Sequence, residues 1–160
     1  MEESARKLVA LEQAKAKVID WQLAGKRVVF TNGCFDLIHL GHVDYLEKAR
    51  MLGDKLVIGL NSDDSVSRFK GPERPLQDQN SRARVLAAMQ FIDLVVFFNE
   101  DTPLNLITEL LPNILVKGSD YLADNIVGAD VVKKYGGVVK TIEFVPGYST
   151  SRIVQKIKRT

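Results

Sequence analysis

The sequence has little of what stabilises proteins in oxidising compartments or anchors them in membranes. One of its 160 residues is cysteine. The single Cys34 excludes an internal disulfide and any metal site built from several thiolates. The N-terminal residues lack the apolar core of a signal peptide, and apolar runs such as IDLVVFF are too short to span a bilayer. We therefore expect a cytoplasmic protein without membrane partners.

A large excess of charge of one sign is also missing. The chain has 22 basic and 20 acidic residues, interspersed, and a formal net charge of +2. This pattern does not produce the broad cationic face that nucleic acid requires, so we expect no nucleic-acid partner. A small anionic ligand needs only a local cluster. With 46% hydrophobic and 26% charged residues, the composition is that of one globular domain.

Two common phosphate-binding motifs are absent as well. The chain contains no GxxxxGK[ST] segment, and no GxGxxG follows its first apolar strand. A P-loop kinase and a dinucleotide-binding oxidoreductase both lose support from these absences.

Five short apolar runs predict β-strands, with helical patterns between them. The runs are residues 27–32, 55–60, 94–98, 114–116 and 138–142. Strands that alternate with helices predict a parallel sheet covered on both faces. The predicted fold class is α/β, a doubly wound five-stranded parallel sheet of the Rossmann type. Ligands bind such sheets beyond the carboxyl ends of the strands, where the strand order reverses.

An extra N-terminal helix precedes the first strand. Its apolar positions, Leu8, Leu11, Val18 and Trp21, follow helical spacing, and the pattern ends at Gly25. We predict a helical extension over residues 1–25 and a main domain over residues 26–160. The apolar stripe either supports a dimer or covers the chain's own sheet, and periodicity leaves both open.

Both histidines of the chain lie in the segment NGCFDLIHLGH, after the first predicted strand. If a helix begins near Leu40 or Gly41, His39 and His42 lie one turn apart on the same side. The first turn of a helix also presents free N–H groups and a positive dipole, which favour phosphate. The spacing therefore predicts two imidazoles beside one phosphate. Gly41 would leave room for a nucleotide, and Gly33 would allow a tight turn.

Each histidine also has a purely structural interpretation. His39 could cap a loop and His42 could pack on a helix, but their joint occurrence as H-x-G-H after an apolar strand favours phosphate chemistry. A zinc site is disfavoured, because two histidines and one nearby aspartate lack further ligands. Nucleotidyl transfer needs mainly positioning and charge neutralisation from the protein, which histidine and lysine donors supply.

The segment NGCFDLIHLGH resembles the signature of the cytidylyltransferase-like nucleotidyltransferases, the HxGH superfamily. The blocks LGDKLVIGLNSDDSV, KGPERP, SRARVLAAM, LVKGSDY, IVGADVV and GYSTS are similar to those of the heptose 1-phosphate adenylyltransferases within it. The likeness spans roughly residues 27–157. It implies a nucleotidyltransferase domain at residues 26–160 that transfers AMP from ATP to D-glycero-β-D-manno-heptose 1-phosphate, giving ADP-heptose and pyrophosphate.

The resemblance also implies roles for single residues. In the family, the strand end and the HxGH motif hold the triphosphate, here Asn32, Gly33, Cys34, Phe35, Asp36, His39, Gly41 and His42. His39 and His42 would stabilise the transition state at the α-phosphate. The implied catalytic set also contains Lys70 and Thr150. The nucleotide site extends to Asp63, Arg82, Lys117, Gly118, Asp120, Tyr121, Ser149 and Thr150. Cys34 is assigned packing rather than a nucleophilic role.

Several of these residues have simpler explanations. Lys70 lies in a polar loop stretch just before residues 71–75, which we predict to be mobile, and it would close on substrates or stay solvated. Arg82 would bind phosphate or form a surface ion pair. The hydroxyls of Ser149 and Thr150 would cap the last helix, a role compatible with phosphate binding. Ser119 replaces the second glycine of the family's KGGDY pattern, which leaves the shape of the pocket open.

The resemblance implies Mg²⁺ as cofactor, carried by the phosphates of ATP and not by protein ligands, with a water-mediated contact from Asp36. It implies a sugar 1-phosphate as second substrate, a separate sugar kinase that supplies it, and a homodimer. The implied product pathway leads to lipopolysaccharide core or another heptose-containing glycan. Two alternatives stay open: a cytidylyltransferase acting on glycerol 3-phosphate or a similar alcohol phosphate, and a non-catalytic nucleotide-binding regulator.

Overall fold

A parallel five-stranded sheet forms the centre of the computed structural model, which describes residues 3–160. Its strands are β1 (Val28–Gly33), β2 (Lys55–Asn61), β3 (Leu94–Phe98), β4 (Ile114–Gly118) and β5 (Val138–Ile142). Their order across the sheet is β3-β2-β1-β4-β5. The strand order reverses between β1 and β4, which confirms the doubly wound fold and predicts a ligand crevice there.

Seven α-helices accompany the strands in the described part of the chain. They are α1 (Leu11–Leu23), α2 (Leu40–Met51), α3 (Asp63–Lys70), α4 (Gln79–Ala88), α5 (Leu104–Leu110), α6 (Ala129–Lys134) and α7 (Thr150–Lys158). Short 3-10 turns occupy Ser4–Lys7 and Ala123–Asn125. None of the helices within residues 3–160 is long and apolar enough to cross a membrane.

Two apolar clusters cover the two faces of the sheet. One contains Leu46 of α2 and Leu86 of α4 against Ile58 of β2. The other contains residues of α1, α5 and α6 packed on the strands, among them Val18, Ile107 and Val132. Successive strand residues alternate between the clusters, as the two-residue period of a strand requires. Both faces are therefore buried, as the near-continuous apolar runs indicate.

Helix α3 occupies the first part of the polar stretch in which no helix was expected, and it ends before residues 71–75. The Ser62 side chain caps it by accepting a hydrogen bond from the backbone N–H of Ser65 at 3.2 Å. Asp63 and Asp64 lie in its first turn, where carboxylates favour the helix dipole. The helix ends at Gly71, whose φ of 100° favours glycine. Lys70 is thus the last residue of a helix rather than part of a loop.

The N-terminal helix covers the chain's own sheet. Ala14 and Val18 of α1 are fully buried in the second cluster. The helix begins at Leu11, whereas Leu8 forms a parallel bridge with Val95 at the outer edge of β3. The apolar stripe is therefore used within one chain. The division into an extension at 1–25 and a domain at 26–160 stays a prediction.

Candidate active site

A cleft opens beyond the carboxyl ends of β1 and β4 and has three adjoining lobes of about 600, 180 and 290 Å³. The wide lobe reaches from Asn61 to residues 101–103 and 125–127. The central lobe lies over residues 32–36, His42 and Gly118. The histidine lobe is lined by the two histidines, Arg74 and residues 148–151. Lys70 and Phe144 line all three lobes.

The two histidines stack against each other at the start of α2. Their ring centroids lie 3.8 Å apart, with 25° between the ring planes. His39 is the residue before the helix, and its Nδ1 accepts a hydrogen bond from the backbone N–H of Gly41 at 3.1 Å. The expected arrangement, two imidazoles one turn apart, is present. His39 therefore caps the helix and lines the cleft at the same time.

The hydrogen bonding and burial of the histidines define their protonation. Because Nδ1 of His39 accepts a hydrogen bond, the neutral ring carries its proton on Nε2, which is left as a donor. Burial lowers the pKa of His39. Burial, assisted by His39 and Lys70, lowers the pKa of His42 to about 4. Both rings are thus neutral donors near pH 7.

The two glycines of the motif leave space for neighbouring protein side chains. A Cβ on Gly41 would lie 2.9 Å from Cε1 of His39 and 3.3 Å from Cβ of Tyr148, and one on Gly33 would lie 3.1 Å from the Phe35 ring. Gly41 also lines the histidine lobe, so room for a nucleotide at this position stays a prediction, whereas the expected tight turn is not at Gly33. The turn is made by Phe35 and Leu37, whose φ angles are 48° and 52°.

Two lysines bring positive charge to the cleft. Lys70, at the end of α3, is exposed and lines every lobe. Lys117, at the end of β4, donates to the carbonyl oxygen of Asn32 at 3.2 Å, and its Nζ lies 5.4 Å from the ring centroid of Tyr121. Burial lowers the pKa of Lys117. The paired cations give the cleft the charge that polyphosphates require.

The start of α7 borders the histidine lobe. Ser149 caps this helix by accepting a hydrogen bond from the backbone N–H of Arg152 at 3.2 Å. The Thr150 hydroxyl donates to the carbonyl oxygen of Asp36 at 2.7 Å. Both residues also line the histidine lobe, so these contacts within the protein are compatible with a position at the cleft.

Asp36 holds a neighbouring segment in place instead of presenting its carboxylate to a metal. Its side chain is 1% exposed and lies 3.2 Å from the Arg74 guanidinium. Its two oxygens accept hydrogen bonds from the backbone N–H groups of Leu76 at 2.7 Å and Gln77 at 3.0 Å. These contacts correct the expectation that Asp36 approaches Mg²⁺ through water. Within residues 3–160, no group of three or more His, Cys, Asp or Glu side chains is arranged to hold a metal.

Arg82 and Asp63 form an internal connection rather than a nucleotide contact. Arg82 is fully buried, and its Nη2 donates to Oδ1 of Asp63 at 2.7 Å. Its other donors reach the carbonyl oxygens of Cys34 at 2.7 Å, Asn61 at 2.9 Å and Gln77 at 3.0 Å. Neither Arg82 nor Asp63 lines the cleft. Arg82 has neither of its two predicted roles, phosphate binding or a surface ion pair. Its buried guanidinium instead joins Asp63 to three backbone carbonyl oxygens.

The remaining predicted residues lie in or beside the central lobe. Burial raises the pKa of the Cys34 thiol, which fits a packing role. Gly118 is covered by the Phe144 ring, with which any Cβ at that position would clash. Tyr121 lines two lobes, and Asp120 is exposed. Ser119 is not among the residues with positive φ, so serine fits there without backbone strain.

Sequence reasoning missed several lining residues. Phe144 lines all three lobes and follows β5 by two residues, so the rule that ligands collect at strand ends could have found it. The other missed residues are Tyr45, Asn61, Phe69, Arg74, Asp101, Thr102, Pro103, Asn125, Ile126, Val127 and Tyr148. Most lie in loops whose composition carries no motif.

Curated relatives match the chain over nearly its whole length. The bifunctional protein HldE of Magnetococcus marinus is 56% identical over 155 residues, which cover 97% of this chain and 32% of the relative. The bifunctional protein HldE of Geobacter sulfurreducens is 62% identical over 133 residues, 83% of this chain and 27% of the relative. The chain therefore spans about a third of the length of these relatives.

Solved structures share the fold. The lipopolysaccharide core biosynthesis protein of Thermoplasma volcanium is 30% identical with a TM-score of 0.60, over 76% of this chain and 98% of that one. Pantoate-beta-alanine ligase of Francisella tularensis, 12% identical with a TM-score of 0.61 over 96% of this chain and 78% of that one, shows the fold alone. The profile of the cytidylyltransferase-like family matches residues 30–156. The resemblance of the histidine segment is thereby confirmed, and the chain belongs to the cytidylyltransferase-like family of nucleotidyltransferases.

Proposed function

We propose that this domain transfers AMP from ATP to D-glycero-β-D-manno-heptose 1-phosphate, giving ADP-heptose and pyrophosphate. The observation that carries the proposal is the stacked pair of neutral imidazoles, His39 and His42, at a helix start in a cleft lined by Lys70 and Thr150. The heptose is supported by the sequence blocks shared with heptose 1-phosphate adenylyltransferases. The identity of 53–62% to proteins named HldE supports the same assignment.

The proposed step is a direct displacement at phosphorus. An oxygen of the sugar 1-phosphate forms a bond to the α-phosphorus of ATP, while the bond from that phosphorus to the α–β bridging oxygen breaks and pyrophosphate leaves. His39 and His42 donate to the nonbridging oxygens, and Lys70 neutralises charge as the transition state forms. The raised pKa of the half-buried Cys34 thiol favours its protonated form, so the proposed step uses no covalent intermediate.

The cleft is suited to a phosphate chain that brings its own divalent ion. Its polar lining consists largely of imidazole, ammonium and hydroxyl groups, which donate to phosphate oxygens. Asp36, the carboxylate nearest the motif, is already engaged by backbone N–H groups and Arg74. Mg²⁺ held by the triphosphate would neutralise further charge on the leaving pyrophosphate.

The three lobes offer room for two substrates. The nucleotide would occupy the central and histidine lobes, which share His42 and Thr150. The wide lobe, of about 600 Å³, would take the sugar 1-phosphate on the other side of Lys70. A sugar kinase reaction must supply this substrate. The homodimer and the cytoplasmic location stay predictions.

The test is a screen of pyrophosphate release with four nucleoside triphosphates against heptose 1-phosphate, other sugar 1-phosphates and glycerol 3-phosphate. We expect turnover with ATP and the heptose. We expect His39→Ala and His42→Ala each to lower the rate about 100- to 1000-fold, the usual cost of one preorganised donor. Lys15→Gln, on α1 and ion-paired with Glu109, is the matched surface control.

Each other outcome has a defined meaning. Histidine variants within a few fold of the wild-type rate would refute the catalytic role of the pair. A preference for CTP and glycerol 3-phosphate would identify a cytidylyltransferase instead. ATP binding without pyrophosphate release from any acceptor would indicate a regulator, for which two transition-state donors have no use.

A further inference from the structure

The histidine lobe contains a basic side chain that no motif accounts for. Besides the histidines and Lys70, it is lined by Arg74 and by the hydroxyl residues Ser149, Thr150 and Ser151. No acidic residue is among those lining this lobe in the described part of the chain. The lobe therefore combines cations and donors without a competing carboxylate on its wall, which is the composition of an anion site.

The guanidinium of Arg74 is held in a defined position. It is 19% exposed, and its Nη2 lies 3.2 Å from Oδ2 of the buried Asp36. The same carboxylate accepts hydrogen bonds from the backbone of Leu76 and Gln77, so it anchors the segment that carries Arg74. Since the segment and the side chain share one anchor, the guanidinium is preorganised before a ligand arrives.

Arg74 has donor capacity that the protein itself does not use. Within residues 3–160, the buried side-chain polar atoms without a partner are Oδ1 of Asn32, Nδ1 of His42 and Nε of Arg74. All three belong to residues that line the cleft. Buried polar atoms are rarely left unpaired, and a planar guanidinium fork matches two phosphate oxygens. Because Arg74 itself lines the histidine lobe, an anionic ligand with several oxygens is the kind of group that would satisfy this guanidinium.

The order of the lobes indicates which phosphates reach Arg74. Gly118 and Tyr121 line the central lobe but not the histidine lobe, whereas Ser149 and Arg74 line the histidine lobe but not the central lobe. His42, Lys70 and Thr150 line both lobes and lie where the reacting α-phosphate belongs in the proposed reaction. A nucleotide with its nucleoside in the central lobe therefore extends its β- and γ-phosphates into the histidine lobe.

We propose that Arg74 binds the β- and γ-phosphates of the nucleotide and retains the pyrophosphate leaving group, with Asp36 as its positioning residue. The inference rests on the proposed nucleotidyl transfer and adds a binding residue to it. Arg74 contacts the phosphates that leave, and it makes no contact with the transferred nucleoside monophosphate.

The test compares binding of inorganic pyrophosphate, ATP and AMP to wild type, Arg74→Gln and Arg74→Lys by calorimetry. We expect Arg74→Gln to weaken pyrophosphate and ATP binding about 10- to 100-fold, the range for a charge-assisted hydrogen bond, with AMP within twofold. Arg74→Lys keeps the charge but loses the fork, so we expect an intermediate loss. Lys15→Gln controls for removal of one positive charge outside the cleft.

Three results would overturn the inference while leaving the proposed function intact, provided that wild type binds ATP and releases pyrophosphate. Pyrophosphate and ATP binding within twofold of wild type in Arg74→Gln would do so. Equal losses for AMP and ATP would assign Arg74 to loop anchoring alone, and so would a loss of pyrophosphate binding in Arg74→Lys as large as that in Arg74→Gln. Absence of turnover in wild type with every acceptor would instead contradict the proposed function.

Discussion

At the scale of single residues, His42 has a neutral ring that lies where the proposed reaction places a phosphate. Its ring is stacked on His39 and largely buried, and its pKa is lowered to about 4, mainly by burial. The free protein therefore keeps the ring neutral, while an anionic phosphate beside it would favour the charged form. As negative charge develops on the phosphate in the transition state, the hydrogen bond that His42 donates becomes stronger. This property suits nucleotidyl transfer.

This burial predicts a pH-dependent loss of stability. The unfolded chain protonates His42 near its ordinary pKa of 6.5, whereas the folded chain does so only near 4. The contribution to stability is thus complete above about pH 6.5 and is lost as the pH falls towards 4. We expect wild type to lose about 2 to 3 kcal/mol more than His42→Asn between pH 7 and 4.5. Denaturant unfolding at both pH values measures this, and equal losses in the two proteins would contradict it.

At the scale of secondary-structure elements, Arg82 joins the parts that form the cleft. From α4 it reaches the carbonyl oxygens of Cys34 after β1, Asn61 at the end of β2 and Gln77. The Arg82 side chain is fully buried, so water cannot easily replace the donors that it supplies to these carbonyl oxygens, whereas the Asp63 side chain is 38% exposed. The positions of two strand ends relative to the Asp36 anchor therefore depend on one side chain.

We expect Arg82→Met to lower the free energy of unfolding by about 3 to 5 kcal/mol, because it leaves three carbonyl oxygens around a fully buried side chain without their donor. The matched control is Arg68→Met, since the Arg68 side chain is 44% exposed in its ion pair with Asp101. An exposed pair contributes at most about 1 kcal/mol. Urea unfolding of both variants makes the comparison, and similar losses would show that burial of Arg82 has no special importance.

At the scale of the whole molecule, the N-terminal segment and the sheet form one hydrophobic unit. Helix α1 buries Ala14 and Val18 completely, and residues 8–9 extend the edge of the sheet at Val95. An uncovered edge strand is a template for aggregation. The helical extension therefore contributes to folding as well as preceding the family domain.

Deletion of residues 1–25 tests this contribution. We expect the shortened protein, residues 26–160, to aggregate or to melt at least several degrees below the full chain, because apolar residues under α1 become exposed. Leu23→Ala, at a position 83% exposed on the same helix, should leave the melting temperature unchanged. Size-exclusion chromatography and thermal unfolding would decide, and a monomer with unchanged melting would show that residues 1–25 are dispensable.

The sequence by itself determined the α/β architecture and the place of the reactive motif. The strands lie within two residues of their predicted bounds, because an apolar run between helical patterns is a local signal. The histidine pair was equally local, since His39 and His42 are only three positions apart in the sequence. Helix α3 was missed although its Ser-Asp-Asp start was visible, because its polar composition outweighed the cap.

Only the tertiary structure decided what the polar residues around the motif do. Asp36 contacts Leu76 across 40 positions, and Arg82 contacts Cys34 across 48. A carboxylate or guanidinium looks the same in sequence whether it meets a ligand or a buried backbone group. The partners that distinguish these cases come together when the sheet assembles, and the same assembly leaves the buried Nε of Arg74, a residue that lines the histidine lobe, without a partner.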